Sequence, residues 1–174
     1  VLAVAALGAA CLALSPAGSA VADSGAPVAS HCVPGERVLY SCAFPRGVGS
    51  LCSDGETVHY RYGPRGKAEI DLAGLPDWSN VRVGDVRGQG NGYERHVRIS
   101  RGRFHYVVFE GMNGELSESP GRAYSGIAVL EGARGERELI TLSCPGRSAH
   151  DLSAPLLQER AEAEEPNGPF DMWY

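Results

Sequence analysis

The chain has 174 residues, 43% of them hydrophobic and 21% charged, with a net charge of −5. That balance sustains a globular core rather than a disordered chain, and the absence of any basic stripe or run argues against a nucleic-acid partner. The 23 Gly and 11 Pro fall between strand-like runs, which predicts one turn-rich, all-β domain.

Val1 to Leu14 is almost wholly Ala, Val and Leu, and Ala20-Val21-Ala22 supplies small residues before Asp23. The pattern predicts a signal peptide over residues 1–22. The run is shorter than the ~20 residues a bilayer requires, so no membrane span is expected after cleavage. No Lys or Arg precedes the run, and Leu7 lies one place too far from Cys11 for the usual lipobox. The address read from this segment is periplasmic or secreted. Residues 23–30, small and polar, read as a flexible mature N-terminus.

Residues 31–146 read as the β domain. Val38, Tyr40 and Cys42 share one face of a strand, and Pro45, Gly47 and Gly49 break it. Asp54-Gly55 turns before Val58, Tyr60 and Tyr62 alternate with His59 and Arg61. A strand over Lys67 to Leu72 comes next, then one at Val81 and Val83, then the glycine-rich loop from Gly84 to Gly92. The residues after that loop look like a strand, so it reads as a hairpin loop and not as a phosphate cradle. The clearest hairpin joins Tyr93–Ser100 to Arg103–Glu110 through Arg101-Gly102. Pairing Ile99 with Phe104 and Val97 with Tyr106 puts these and Val108 on a core face. A polar loop leads to a last hairpin, Ser125–Glu131 with Glu136–Cys144, whose Ile127, Val129, Ile140 and Leu142 are also expected in the core. The fold expected is a small antiparallel barrel or sandwich of about eight strands.

Cleavage leaves Cys32, Cys42, Cys52 and Cys144, an even set that reads as two disulfides. With a loop from Pro45 to Gly49, Cys42 faces Cys52 across the first hairpin. Cys42–Cys52 with Cys32–Cys144 is the expected pairing, and Cys42–Cys144, first strand to last, is the alternative. Zinc is the rival use of cysteine, but no CxxC or HxxxH spacing supports it.

Residues 147–174 change character. Leu152 to Glu165 reads as a marginal helix with Ser153 as N-cap and Pro155 in its first turn. The aromatic stretch Phe170 to Tyr174 is expected to fold back on the domain or to meet a partner.

His59, Arg61, His96, Arg98, Arg103 and His105 line up as a basic–aromatic face suited to a glycan or protein of the cell envelope. The bland alternative is one solvated face of an antiparallel sheet. His96 and His105, read as diagonal neighbours, invite a metal-dependent enzyme or hydrolase reading. No third ligand and no G-x-S-x-G elbow accompanies them, so no catalytic residue, metal or other cofactor is assigned.

Tyr40-Ser41-Cys42, Ser125-Gly126 and Cys144, in a small exported β architecture, resemble the membrane-bound or periplasmic inhibitors of c-type lysozyme over about residues 37–144. The resemblance implies an eight-stranded barrel whose Ser-Gly loop plugs the lysozyme cleft, with the Cys42–Cys144 pairing. Ser125 and Gly126 match residue by residue, while Ile127-Ala128-Val129 stands where the family has Tyr. On that reading a protruding Tyr124-Ser125-Gly126 would meet the catalytic carboxylates, with Arg122 adding a charged contact.

Overall fold

The computed structural model describes residues 27–174; the expected signal segment and Cys11 lie outside them. Alternating residues give nine main strands: β1 (Arg37–Phe44), β2 (Gly47–Ser53), β3 (Val58–Gly63), β4 (Ile70–Ala73), β5 (Val81–Arg87), β6 (Tyr93–Arg101), β7 (Phe104–Met112), β8 (Ala123–Glu131) and β9 (Arg137–Ser143). Two short strands, β10 (Ser148–His150) and β11 (Glu162–Ala163), flank the α-helix α1 (Pro155–Arg160). They form two sheets, ordered β10-β1-β2-β3-β4 and β11-β5-β6-β7-β8-β9, antiparallel except where β11 runs parallel to β5. The fold is an all-β sandwich and not a closed barrel.

The inner faces meet in one core. Tyr40, Leu51, Tyr60 and Leu72 align across the first sheet, and Val97, Ile99, Val108 and Ile127 come from the second. The sandwich continues beyond residue 146, since β10 pairs with β1 and Leu152, Ala154 and Leu157 are buried between the sheets. At its other end the chain 27–36 is packed against the first sheet: Ser41 donates to the Ala29 carbonyl (2.6 Å) and the His31 amide donates to Ser50 (3.0 Å).

Register decides the disulfides. The first turn is only Pro45-Arg46, because Phe44 pairs with Gly47, so Cys42 faces Gly49 and Cys52 faces Val38. Cys42 and Cys52 therefore lie on opposite faces of the sheet, and the expected Cys42–Cys52 and Cys32–Cys144 pairing is corrected. Cys42 points inward and joins Cys144 across the sandwich (Cα–Cα 6.0 Å), and Cys52 points outward and joins Cys32 (Cα–Cα 5.4 Å).

Two further expectations shift. The central hairpin turns at Gly102-Arg103, which slides the register by two residues to Ile99↔Tyr106 and Val97↔Val108. A two-residue slip preserves faces, so the sorting of core from outer residues survives it. The helix is six residues long, with Pro155 at its start and no side-chain cap from Ser153.

Candidate functional site

The expected basic–aromatic face does not exist as one surface, because the two sheets turn its residues to opposite sides of the sandwich. His59 and Arg61 lie outward on β3, beneath the arm 27–36. Arg61 grips Glu36 through both terminal nitrogens and reaches Asp71 with Nε (2.9 Å). His59 Nδ1 lies 3.2 Å from the same Asp71. The hydrogen bonds from Arg61 hold the Glu36 carboxyl below its ordinary range.

His96, Arg98 and His105 lie outward on β6 and β7, and residues 161–174 cover them. Arg98 is bidentate to Glu164 (2.6 and 2.8 Å) and its guanidinium lies 3.9 Å from the Phe170 ring centre. His105 bonds Ser100 (2.8 Å) and the Gly132 carbonyl (2.8 Å), with its ring 4.6 Å from Phe170. His96 meets the Tyr174 ring edge-on at 5.0 Å, and burial pulls its pKa down to about 4. In the observed register His105 faces Ser100, four residues from His96 along β6, a run of roughly 13 Å. The diagonal pairing on which the metal reading rested is therefore corrected.

Tyr124, Ser125 and Gly126 are not a protruding loop. They lie inside β8 between β7 and β9, with Ser125 and Gly126 buried, and only Arg122 stands on the exposed loop 113–122. Tyr124 and Gly126 face outward; the Phe109 ring lies over Gly126. Ser125 faces inward and donates to Ser148 (3.0 Å) beside the buried Tyr40 hydroxyl, whose pKa burial raises. Nearby, Glu110 lies 2.7 Å from His150 Nδ1. Among the described residues no hydrogen bond joins either serine to His150, so nucleophile and base are not engaged. Sequence reading missed Glu110 and His150, since only the strand order brings residues 110 and 150 together.

The opposite end of the sandwich is open. Sheet two is built of nine-residue strands in β6 and β7, whereas its partner there is the four-residue β4. The inner face of the β6–β7 hairpin therefore overhangs. Phe104, expected in the core, is 36% exposed for this reason. The overhang makes two recesses of about 410 and 540 Å³ that meet at Leu72, Arg101 and Gly102. Ile99, Leu72 and Tyr106 floor them; Phe104, Asn80, Glu69 and Asp71 form walls and rim. Tyr106 is steadied by Tyr60, ring centres 5.3 Å apart. Arg101 makes no ion pair among the described residues. The cleft thus sets the Phe104 and Tyr106 rings beside Arg101 and Glu69, which pair with no charged group among the described residues, while Asp71 is held by Arg61 and His59 and Asn80 by the Leu75 amide. The chain matches no family model, no curated protein and no solved structure.

Proposed function

We propose that this is an exported, non-catalytic binding protein of the periplasm or extracellular space, and that the seam cleft holds its ligand, a glycan of the cell envelope. The carrying observation is the overhang itself: Phe104 and Tyr106 present aromatic surface to an open cleft rimmed by Arg101, Asn80, Glu69 and Asp71. A sugar ring packs its C–H face on an aromatic ring while its hydroxyls exchange hydrogen bonds with the Arg101 guanidinium and the Glu69 carboxylate. Two disulfides support an oxidising compartment. Calorimetric titration with peptidoglycan-derived oligosaccharides tests the reading. Phe104→Ala and Arg101→Ala are each expected to weaken binding by about tenfold, a typical loss at a contact worth over 1 kcal/mol, with little change in melting. Absence of binding by the wild type to any envelope glycan overturns it.

A second reading, inhibition of c-type lysozyme, is favoured by the Cys42–Cys144 bridge, the pairing that the family resemblance implies. With Ser125 and Gly126 buried in β8, the inserting element on this reading becomes the exposed loop 113–122 with Arg122. Lysozyme activity titrated with the protein separates the two: no inhibition at micromolar concentration ends the second reading.

A further inference from the structure

Residues 162–174 attach to the second sheet in the manner of an added strand with side-chain anchors. Glu162 and Ala163 extend the β5 edge in parallel, opposite Arg82 and Val83, and the Glu164 amide donates to the Val83 carbonyl (2.8 Å). Glu162 also pairs with Arg82. Beyond this edge the segment crosses the outer face, placing Glu164 on Arg98, Phe170 between Arg98 and His105, and Tyr174 against His96 and Phe109. The Tyr174 amide donates to Glu94 (3.0 Å). Main-chain pairing at an edge with pockets for chosen side chains is how sheets bind extended peptides.

The seat is shaped for rings. A Cβ at Gly84 would collide with the His96 ring, and one at Gly126 with the Phe109 ring. With no side chain at either position, both rings lie close to the sheet and leave room above for the segment.

The occupant is separable and imperfect. Phe170 and Tyr174 pack with Val107, Phe109, Ala128 and Leu130, while the cluster between the sheets contains neither. The segment can therefore leave without opening the sandwich. His96 is 1% exposed, yet neither ring nitrogen has a hydrogen-bond partner among the described residues, because Tyr174 offers it only an aromatic edge. Leaving a buried imidazole unpaired is costly, so a segment presenting a donor or acceptor there holds the seat better.

We propose that the β5 edge and the outer face of the second sheet are a receptor for an extended peptide segment of another protein, and that residues 162–174 are its built-in, displaceable occupant. The partner segment carries two acidic residues two apart, for Arg82 and Arg98, followed by aromatic anchors. The seat lies on the opposite side of the second sheet from the seam cleft and stands independently of the glycan reading.

The test protein is the full chain with Phe170→Ala and Tyr174→Ala, and the probe is a fluorescein-labelled synthetic peptide of residues 161–174, followed by anisotropy. An occupant in cis reduces apparent affinity by the fraction of time the seat is open. The double variant is therefore expected to bind the probe on the order of tenfold more tightly than wild type, and the milder Glu164→Gln to fall between them. Adding Arg98→Glu should abolish binding, and a probe carrying Glu164→Arg should restore it. A folded double variant that binds no better than wild type, or binding indifferent to Arg98→Glu, overturns the proposal. So does a wild-type dimer that Phe170→Ala dissolves, since the segment would then belong to a second copy.

Discussion

The two outer faces of this sandwich solve the same problem with different tethers. Each is covered by a chain segment, and under each cover an arginine meets a glutamate out of water. The Arg61 and Glu36 side chains are 8% and 7% exposed, and those of Arg98 and Glu164 are 10% and 6% exposed. The arm over the first sheet is bonded covalently through Cys32–Cys52. The segment over the second sheet is held by contacts alone. The difference teaches that a buried ion pair has no fixed worth. Where the cover cannot leave, breaking the pair strands a charge; where it can, the stranded charge returns to water.

The largest way to break the comparison is to remove each arginine. Arg61→Ala is expected to cost about 3–5 kcal/mol in chemical denaturation, the range for a buried charge left unpaired. Arg98→Ala should cost less, because its loss is limited to the docking free energy of residues 161–174. Its signature is faster hydrogen exchange at the Glu164 and Tyr174 amides, with the sandwich core unchanged. Equal losses of global stability from the two substitutions would end the distinction.

The next effect sharpens it. Cys32→Ser with Cys52→Ser opens a bridge between residues 20 apart and is expected to cost about 3 kcal/mol on the chain-entropy account. In that background the arm becomes an untethered cover. Arg61→Ala should then cost less than it does in the bridged protein, which a double-mutant cycle by urea denaturation reads directly.

The smallest effect is in pH. Under the second cover, burial raises the Glu94 pKa from 4.5 to about 7, against the pull of the Tyr174 amide, and lowers that of His96 from 6.5 to about 4. Between pH 4.5 and 7 the folded protein keeps a Glu94 proton that the unfolded chain loses, so this contribution to stability falls as pH rises. Between pH 6.5 and 4 the unfolded chain takes a His96 proton that the folded protein refuses, so this contribution falls as pH drops. The two oppose each other, with Arg98, Glu164, Asp171, Asp85, Tyr124 and Tyr174 as the other charged or titratable groups facing them. Stability of the second cover is thus expected to be nearly flat from pH 4.5 to 6.5. Glu94→Gln should unmask loss of stability with acid, and His96→Asn loss with base, each read from melting temperature against pH. The first cover differs in sign: Glu36, with its pKa lowered by Arg61, gives its full contribution above 4.5 and loses it as pH falls through the lowered value. Flat single variants would refute the opposition.

The sequence by itself determined the main strands and most of the residues that share a face; the exception is the bulge between Val38 and Tyr40, which turns Val38 to the Cys52 side and puts Leu39 in the core. Tyr40, Val58, Tyr60, Val97, Ile99 and Ile127, expected in the core from alternation, are all buried. Period two is a local property, and it survives even the two-residue slip in the central hairpin. The number of disulfides was legible too, since parity needs no geometry. Only the tertiary structure decided their partners, because a turn two residues long in place of five moved Cys42 opposite Gly49. It also decided that residues read as one surface belong to two, His59 and Arg61 on one and His96, Arg98 and His105 on the other with Arg103 in the turn, since alternation says which residues share a strand face and is silent on how sheets stack. The same holds for Phe104 and Ile140, which face inward as expected yet are 36% and 44% exposed where no strand of the other sheet covers them. The covers themselves were least visible. Glu36 and Glu164 look like ordinary surface acids in the sequence, and they are drawn under only because Arg61 and Arg98, 25 and 66 residues away, need a counter-charge once segments 27–36 and 161–174 fold over them.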